Sequence, residues 1–285
     1  MSRIVVFGAN GMLGHTVLRV MAAEPTHEVI GVVRSESAAR SLSGVSTARI
    51  VAGGNVENPD VLVALFESLR PDVVVNGIGL VKQFAQSEDP LVALPINAIF
   101  PHRLAQLCSL AGARLVHIST DCVFSGAKGG YREEDVPDAR DLYGRSKLLG
   151  EVDYPHAVTL RTSIIGHELN SAHGLIGWFL AQKGNVKGYT RAIFSGLPTC
   201  ELARVIRDLV LPRAELHGLY HVASHPISKY DLLHMVNHEY GKGLVIEPDD
   251  HLKIDRSLNA NRFLEATGYI APNWPDLIAQ MREFR

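Results

Sequence analysis

At 285 residues, with 46% hydrophobic and 20% charged side chains, the chain can bury roughly three quarters of its extended surface without a disulfide or a metal. A formal net charge of −2 excludes an electrostatic case for nucleic acid or an anionic membrane, so an anionic ligand must be met by local groups. The three cysteines, Cys108, Cys122 and Cys200, are widely spaced with no Cys-x-x-Cys pair, which supports neither a zinc site nor a disulfide framework. In chain order, Ile4–Phe7 is a β-rich run that stops at Gly8, and Met12–Ala23 reads as a helix. A strand is expected at Glu28–Val33, a short helix at Ser35–Leu42 and a strand at Ala48–Ala52. Asn58 caps a helix running to Ser68, with Pro59 at its first position. The apolar strand Asp72–Val75 follows, then one long helix within Pro90–Gly112 and a strand over Arg114–Ile118. A helix should carry Tyr143–Val152, and His156–Arg161 reads as the next strand.

Strands that are apolar on both faces and separated by helices indicate a parallel sheet covered on each side. The fold expected is α/β: a doubly wound parallel sheet (Rossmann) over residues 1–165, with a smaller C-terminal α+β substrate-binding cap over 166–285. In the cap, helices are expected at Leu175–Gln182, Glu201–Leu211, Lys229–Tyr240 and Pro275–Phe284, with a strand at Gly218–Ala223. The chain of this part leaves room for a segment that returns to the sheet. In such sheets ligands lie beyond the carboxyl ends of the strands. Gly8, Arg34, Asn76-Gly77 and Ser119-Thr120 each close a strand there.

Gly8-Ala9-Asn10-Gly11-Met12-Leu13-Gly14 follows a strand and opens a helix. The first glycine permits the tight turn, the second lets backbone approach a pyrophosphate, and the third lets helix and strand pack closely. The helix N-terminus favours negative charge. At the end of the second strand, Arg34 with Ser35 stands where an acidic residue would grip the ribose 2′-hydroxyl of NAD. An arginine accommodates a 2′-phosphate, so NADP(H) is expected over NAD(H), with a solvated Arg34 as the alternative. Asn76-Gly77 is either a cofactor contact or simple close packing.

Tyr143-Gly144-Arg145-Ser146-Lys147 places a phenol and an ammonium four residues apart, on one face of a helix. A free tyrosine has a pKa near 10, and a neighbouring cation favours its ionised form. The lysine also suits the nicotinamide ribose. This pair, behind a glycine loop and a strand ending Ser119-Thr120, specifies acid–base chemistry beside a dinucleotide.

These motifs resemble the extended short-chain dehydrogenase/reductase superfamily and, within it, the dTDP-4-dehydrorhamnose reductase family. Ser119-Thr120-Asp121-Cys122-Val123-Phe124 matches that family's Ser-Thr-Asp-Tyr-Val-Phe, and Glu133-Glu134-Asp135 through Glu151 matches its Glu-x-Asp…Tyr-Gly-x-(Ser/Thr)-Lys-x-x-Gly-Glu. Asn97-Ala98 and Leu160-Arg161-Thr162-Ser163 are similar to further family segments, and Pro198-Thr199 and Asp255-Arg256-Ser257-Leu258 resemble its C-terminal ones. The resemblance implies that Thr120 hydrogen-bonds the substrate oxygen, Tyr143 protonates it, and Lys147 holds the ribose and tunes Tyr143. Asn97 is assigned to the cofactor side. Asp121, Arg256 and Lys82 are the substrate-binding candidates, Lys82 being equally readable as solvated and Arg256 offering a bidentate fork to phosphate. Lys187, Arg191 and Trp178 stand behind Arg256 as cap candidates.

Cys122 replaces the family's tyrosine and reads as a small filler rather than a nucleophile. Related 4,6-dehydratases carry a glutamate at that position, so dehydration is not expected here. The implied activity is reduction of a nucleotide-linked 4-keto-6-deoxy sugar in deoxysugar or surface polysaccharide biosynthesis. A 4-epimerase with retained NAD(P) and a non-catalytic NADP-binding regulatory protein stay open. The thirteen histidines are dispersed without metal spacing, so no metal is expected. No apolar run approaches membrane-spanning length, and Ile4–Phe7 lacks a basic leader, so a cytoplasmic chain is expected. Homo-oligomers are a common prior, which leaves a homodimer open.

Overall fold

Six short β-branched runs separated by amphipathic helices cannot pair as hairpins, because each return to the sheet passes through a helical crossover. The structure, a computed structural model, describes residues 2–81 and 85–285. Its main sheet has seven strands, six of which are β1 (Ser2–Phe7), β2 (His27–Val32), β3 (Arg49–Val51), β4 (Val73–Asn76), β5 (Arg114–Thr120) and β6 (Ala157–Thr162). Across the sheet they run β6-β5-β4-β1-β2-β3, and the strand Gly218–His221 lies outside β6. The pairs β1–β2, β1–β4, β2–β3 and β4–β5 are parallel. Strand order reverses between β1 and β4, where Phe7 is in register with Asn76. That is the point at which a doubly wound sheet opens a crevice for a ligand.

The helices of this part are α1 (Met12–Ala22), α2 (Glu36–Arg40), α3 (Pro59–Leu69), α4 (Pro90–Leu94), α5 (Phe100–Ala111) and α6 (Leu142–Leu149). Asn58 caps α3 by accepting from the Asp60 and Val61 amides, with Pro59 at the first helical position, as expected. The core on one side joins Val5 and Phe7 of β1 and Val74 of β4 to Phe100, Leu104 and Cys108 of α5. These side chains are buried to within 1% of complete. Removing one of them would leave a cavity in this core.

The long helix expected within Pro90–Gly112 is in fact two helices joined by a π turn over Pro95–Ile99, in which the Phe100 amide reaches back to the Pro95 carbonyl. Pro95 has no N–H to give to the preceding turn, so the ladder widens there. The widened turn carries Asn97.

By its contacts the chain forms two compact units, one made of Met1–Ser119, Arg140–Leu160 and Ala203–Leu219, the other of Thr120–Ala139, Arg161–Leu202 and Tyr220–Arg285. The second contains small sheets. Asn185–Tyr189 pairs in parallel with Val245–Asp249, and Ala192–Phe194 lies between Ile227–Ser228 and Ile254–Asp255. The strands at 185–189 and 245–249 were not legible in sequence. Lysine, glycine and proline interrupt their apolar alternation, and among the described residues only one edge of each is paired. No helix among the described residues is long and apolar enough to cross a membrane.

Candidate active site

Gly8, immediately after β1, has φ +75°, a left-handed conformation that favours glycine. A side chain there would also press on Ile78 and the Gly77 backbone. Gly11 stands at the N-cap of α1 with no side-chain cap, and no acidic residue lies in the first turn. The first amides of this eleven-residue helix, those of Met12, Leu13 and Gly14, therefore have no intrahelical acceptor, which suits a diphosphate. A Cβ on Gly14 would fall on the Gly8 carbonyl. The turn and the helix can approach this closely only because both residues are glycine. Asn10 lies half-buried in the same turn.

Gly14→Ala must push α1 off the Gly8 turn. It is expected to cost on the order of 3 kcal/mol of stability and to abolish dinucleotide binding, measurable by urea denaturation and fluorescence titration. Wild-type cofactor affinity in this variant would contradict the close-approach reading.

Arg34 follows β2 at the surface, and no ion pair to it is found among the described residues. Ser35 caps α2 by accepting from the Ala38 amide at 3.3 Å, and its hydroxyl also meets Ser37 at 2.9 Å. Its oxygen therefore already has local partners.

On β4, Asn76 is fully buried and its Oδ1 accepts from the Ile78 amide at 3.0 Å. Gly77 donates its amide to the Phe7 carbonyl at 3.1 Å. In the π turn, Asn97 Oδ1 accepts from the Leu80 amide at 2.8 Å, while its Nδ2 donates to the Leu80 carbonyl and to Ser146 Oγ, at 3.2 and 3.1 Å. Ser146 sits on α6 between Tyr143 and Lys147 and donates back to the Tyr143 carbonyl at 2.9 Å. Asp141 caps α6 through the Gly144 amide at 2.8 Å. Tyr143, in the first turn, is half-buried.

Lys147, one turn further, is 4% exposed and donates from Nζ to the Ile118 carbonyl of β5 at 2.9 Å. Burial pulls its ammonium down to about 8, against a smaller opposing effect of Glu151. Glu151 accepts from Ser119 Oγ at 2.6 Å. A Cβ on Gly79 would lie 3.8 Å from Lys147 Nζ and 3.7 Å from Asn97 Oδ1, so strand end, π turn and α6 converge at that glycine. The first unit thus brings together Gly8, Gly11, Gly14, Asn76, Gly77, Asn97, Tyr143 and Lys147.

In the second unit, Thr120 closes β5 and opens a short 3-10 turn. Its hydroxyl accepts from the Cys122 amide at 3.1 Å and donates to Asp121 Oδ1 at 3.2 Å. Burial raises the Asp121 carboxyl, while Arg256 acts in the opposite direction. Arg256 donates from Nε to the Phe124 carbonyl at 2.8 Å and from Nη1 to Cys122 Sγ at 3.7 Å. Burial, reinforced by Asp121, pushes the Cys122 thiol up to about 12, so it is no thiolate nucleophile at neutral pH. Lys82 lies outside the described residues. Lys187 is spent on Asp249 at 3.3 Å. Asp249, Asp250 and His251 are the one group of metal-ligating types gathered among the described residues, and Asp249 already accepts from the His251 amide at 2.9 Å.

Ser146 and His117 were missed in the sequence. Ser146 hides inside the Tyr-x-x-x-Lys spacing, where only its i−3 relation to Tyr143 marks it. His117 interrupts the apolar run Leu115–Ile118 in the middle of β5, and that interruption was the available signal.

The model of the RmlD substrate binding domain family matches residues 2–259. The chain belongs to that family. Among its relatives, dTDP-4-dehydrorhamnose reductase of Aggregatibacter actinomycetemcomitans is 24% identical over 81% of this chain and 76% of its own length. The probable low-salt glycan biosynthesis reductase Agl14 of Haloferax volcanii is 30% identical over 77% of this chain and 73% of its own. The structure of dTDP-4-dehydrorhamnose reductase from Bacillus anthracis in complex with NADP superposes with a TM-score of 0.81 at 20% identity, covering 99% of each chain. The RmlD-family fold is therefore the doubly wound fold expected from the sequence.

Proposed function

We propose that this RmlD-family chain is an NADP(H)-dependent reductase of a nucleotide-linked 4-keto-6-deoxy sugar, with Thr120, Tyr143 and Lys147 as its catalytic residues. The observation that carries the proposal is the buried Lys147 ammonium, one helical turn from Tyr143 and hydrogen-bonded at the end of β5. A buried cation with no carboxylate in direct contact among the described residues costs stability, and it earns its place by favouring a phenolate. The uncapped α1 N-terminus and the Gly8–Gly14 approach fit a dinucleotide diphosphate. When bound, the nicotinamide supplies the hydride.

The chain supplies the proton and the positioning. Tyr143 Oη–H donates its proton to the carbonyl oxygen as that carbon is reduced, and Lys147 stabilises the phenolate left behind until solvent restores its proton. Thr120 Oγ1 donates a second hydrogen bond to the same oxygen, which requires it to turn from Asp121. Asp121 and Arg256 take the substrate side, the guanidinium facing the nucleotide diphosphate. The proposed role is a step of deoxysugar or surface-glycan synthesis in the cytoplasm.

The test is NADPH oxidation with a panel of 4-keto-6-deoxy nucleotide sugars. Turnover on at least one is expected, and failure on all would refute the substrate class. Arg34 carries the cofactor choice. NADPH is expected to bind tighter than NADH, and Arg34→Glu to weaken NADPH by roughly 10- to 100-fold, as for a lost charge-assisted contact. Equal or tighter binding of NADH by the wild type would overturn the NADP assignment.

A further inference from the structure

His117, between Val116 and Ile118 in the middle of β5, is fully buried, and its Nε2 is without a hydrogen-bond partner among the described residues. It stands in register with Asn76 on the neighbouring strand. Its Nδ1 is 3.1 Å from Asn76 Nδ2. Asn76 Oδ1 is committed to the Ile78 amide, so Nδ2 is the end that faces the imidazole, and Nδ2 can only donate. His117 Nδ1 must therefore accept, which puts the ring hydrogen on Nε2. Burial chiefly, then the Lys147 ammonium and His102, push its protonation far down, so the ring is neutral. A protonated ring would turn a second donor against Asn76 and set a cation beside Lys147. A strand that needed only packing here would carry valine or leucine and leave no buried N–H unmet.

The bond from Asn76 is one link in a closed ring. From His117 the ring passes through Asn76 to the Ile78 amide, along the backbone to Leu80, and through Asn97 to Ser146 on α6. From Ser146 it continues to Lys147, whose Nζ returns to the carbonyl of Ile118, the next residue after His117. Gly79 lies within the ring, near both Asn97 and Lys147. Every element that carries a proposed cofactor contact of the first unit, apart from the glycine turn and the β2 end, is tied into it. The one ring member whose hydrogen-bonding sense depends on its protonation state is His117.

We propose that His117 is a positioning residue: as a neutral imidazole accepting from Asn76, it fixes the strip 77–80 and, through the ring, the placement of Lys147. It touches neither substrate nor cofactor. Only its effect on turnover rests on the reductase reading; its effect on cofactor binding and its tautomer do not.

Two measurements on the full chain test this. In nitrogen-15 NMR of the cofactor-free protein, His117 should show the Nε2–H neutral form and no titration between about pH 5 and 9, well above and below the ordinary histidine value of about 6.5. A cationic ring in that range, or the Nδ1–H form, would overturn the proposal. His117→Phe should weaken NADPH binding and lower kcat, each by roughly 10- to 100-fold, as misplacement by about an ångström does. His117→Asn, whose Oδ1 can take the place of Nδ1 as acceptor, should recover most of both. If both variants lose melting temperature alike while NADPH affinity and kcat stay at wild-type values, the role is merely structural and the proposal fails. Should His117→Phe not fold, the tautomer and the His117→Asn affinity still decide. A wild type that binds NADPH but reduces no sugar would refute the reductase reading without touching either result.

Discussion

Tyr143→Phe is expected to lower kcat for sugar reduction by ~10²–10⁴-fold, the range contributed by a positioned general acid, while leaving NADPH affinity nearly unchanged. The change removes one oxygen from a half-buried side chain in the first turn of α6. The aromatic ring keeps its packing, and the cap from Asp141 to the Gly144 amide does not involve the phenol. Loss of turnover with retained binding and an unchanged melting temperature would therefore isolate proton transfer from folding. Initial rates with saturating NADPH, alongside a fluorescence titration, make the comparison. A variant that keeps more than a tenth of wild-type kcat would remove Tyr143 from the chemistry. It would also favour the reading of the chain as a nucleotide-binding regulatory protein.

The second large effect concerns Lys147, where function and stability pull in opposite directions. Its ammonium titrates near 8 in the folded chain, against 10.5 ordinarily. Between these values the unfolded chain holds the proton that the folded chain has released, so stability rises with pH across that window. Below it the buried charge costs roughly 3 kcal/mol, which the bond to the Ile118 carbonyl offsets by about 1 kcal/mol. Lys147→Met keeps the length of the side chain and removes the charge. It should abolish turnover yet stabilise the protein at pH 7 by roughly 2 kcal/mol, with the gain gone by about pH 10.5, as buried charges replaced by packed apolar groups often do. Urea midpoints at the two pH values measure this, and a destabilised Lys147→Met at pH 7 would contradict it. In the wild type, kcat/KM should fall on the alkaline side with an apparent pKa near the same 8, because the proton that holds Lys147 cationic leaves there.

Much of this arrangement was legible in the residues alone. The glycine turn could be placed because Gly8, Gly11 and Gly14 stand between an apolar run and an amphipathic one, and both the left-handed Gly8 and the close approach at Gly14 follow from that placement. Tyr143 and Lys147 were legible because helical spacing is local. The ring that holds them was not. Asn76 and His117 are forty-one positions apart and meet only through the register of β4 and β5, which no local pattern encodes. The position of Asn97 depends on a π turn that Pro95 permits but does not specify, so a single long helix was the natural expectation. In the second unit the glycines and prolines that break the alternation of short edge strands also hid them. Arg256 was reached by resemblance; the structure adds that it leans on Cys122 Sγ and the Phe124 carbonyl.

In the proposed reaction hydride passes from the nicotinamide to a sugar carbonyl and Tyr143 supplies the proton. NADPH carrying deuterium at the transferred nicotinamide position, incubated with a 4-keto-6-deoxy nucleotide sugar, tests it most directly. One deuterium on the sugar carbon that bears the new hydroxyl, in step with the NADP formed and absent with Tyr143→Phe, is the expected result. A sugar product without deuterium, or inversion of a sugar hydroxyl with no net oxidation of cofactor, would contradict it.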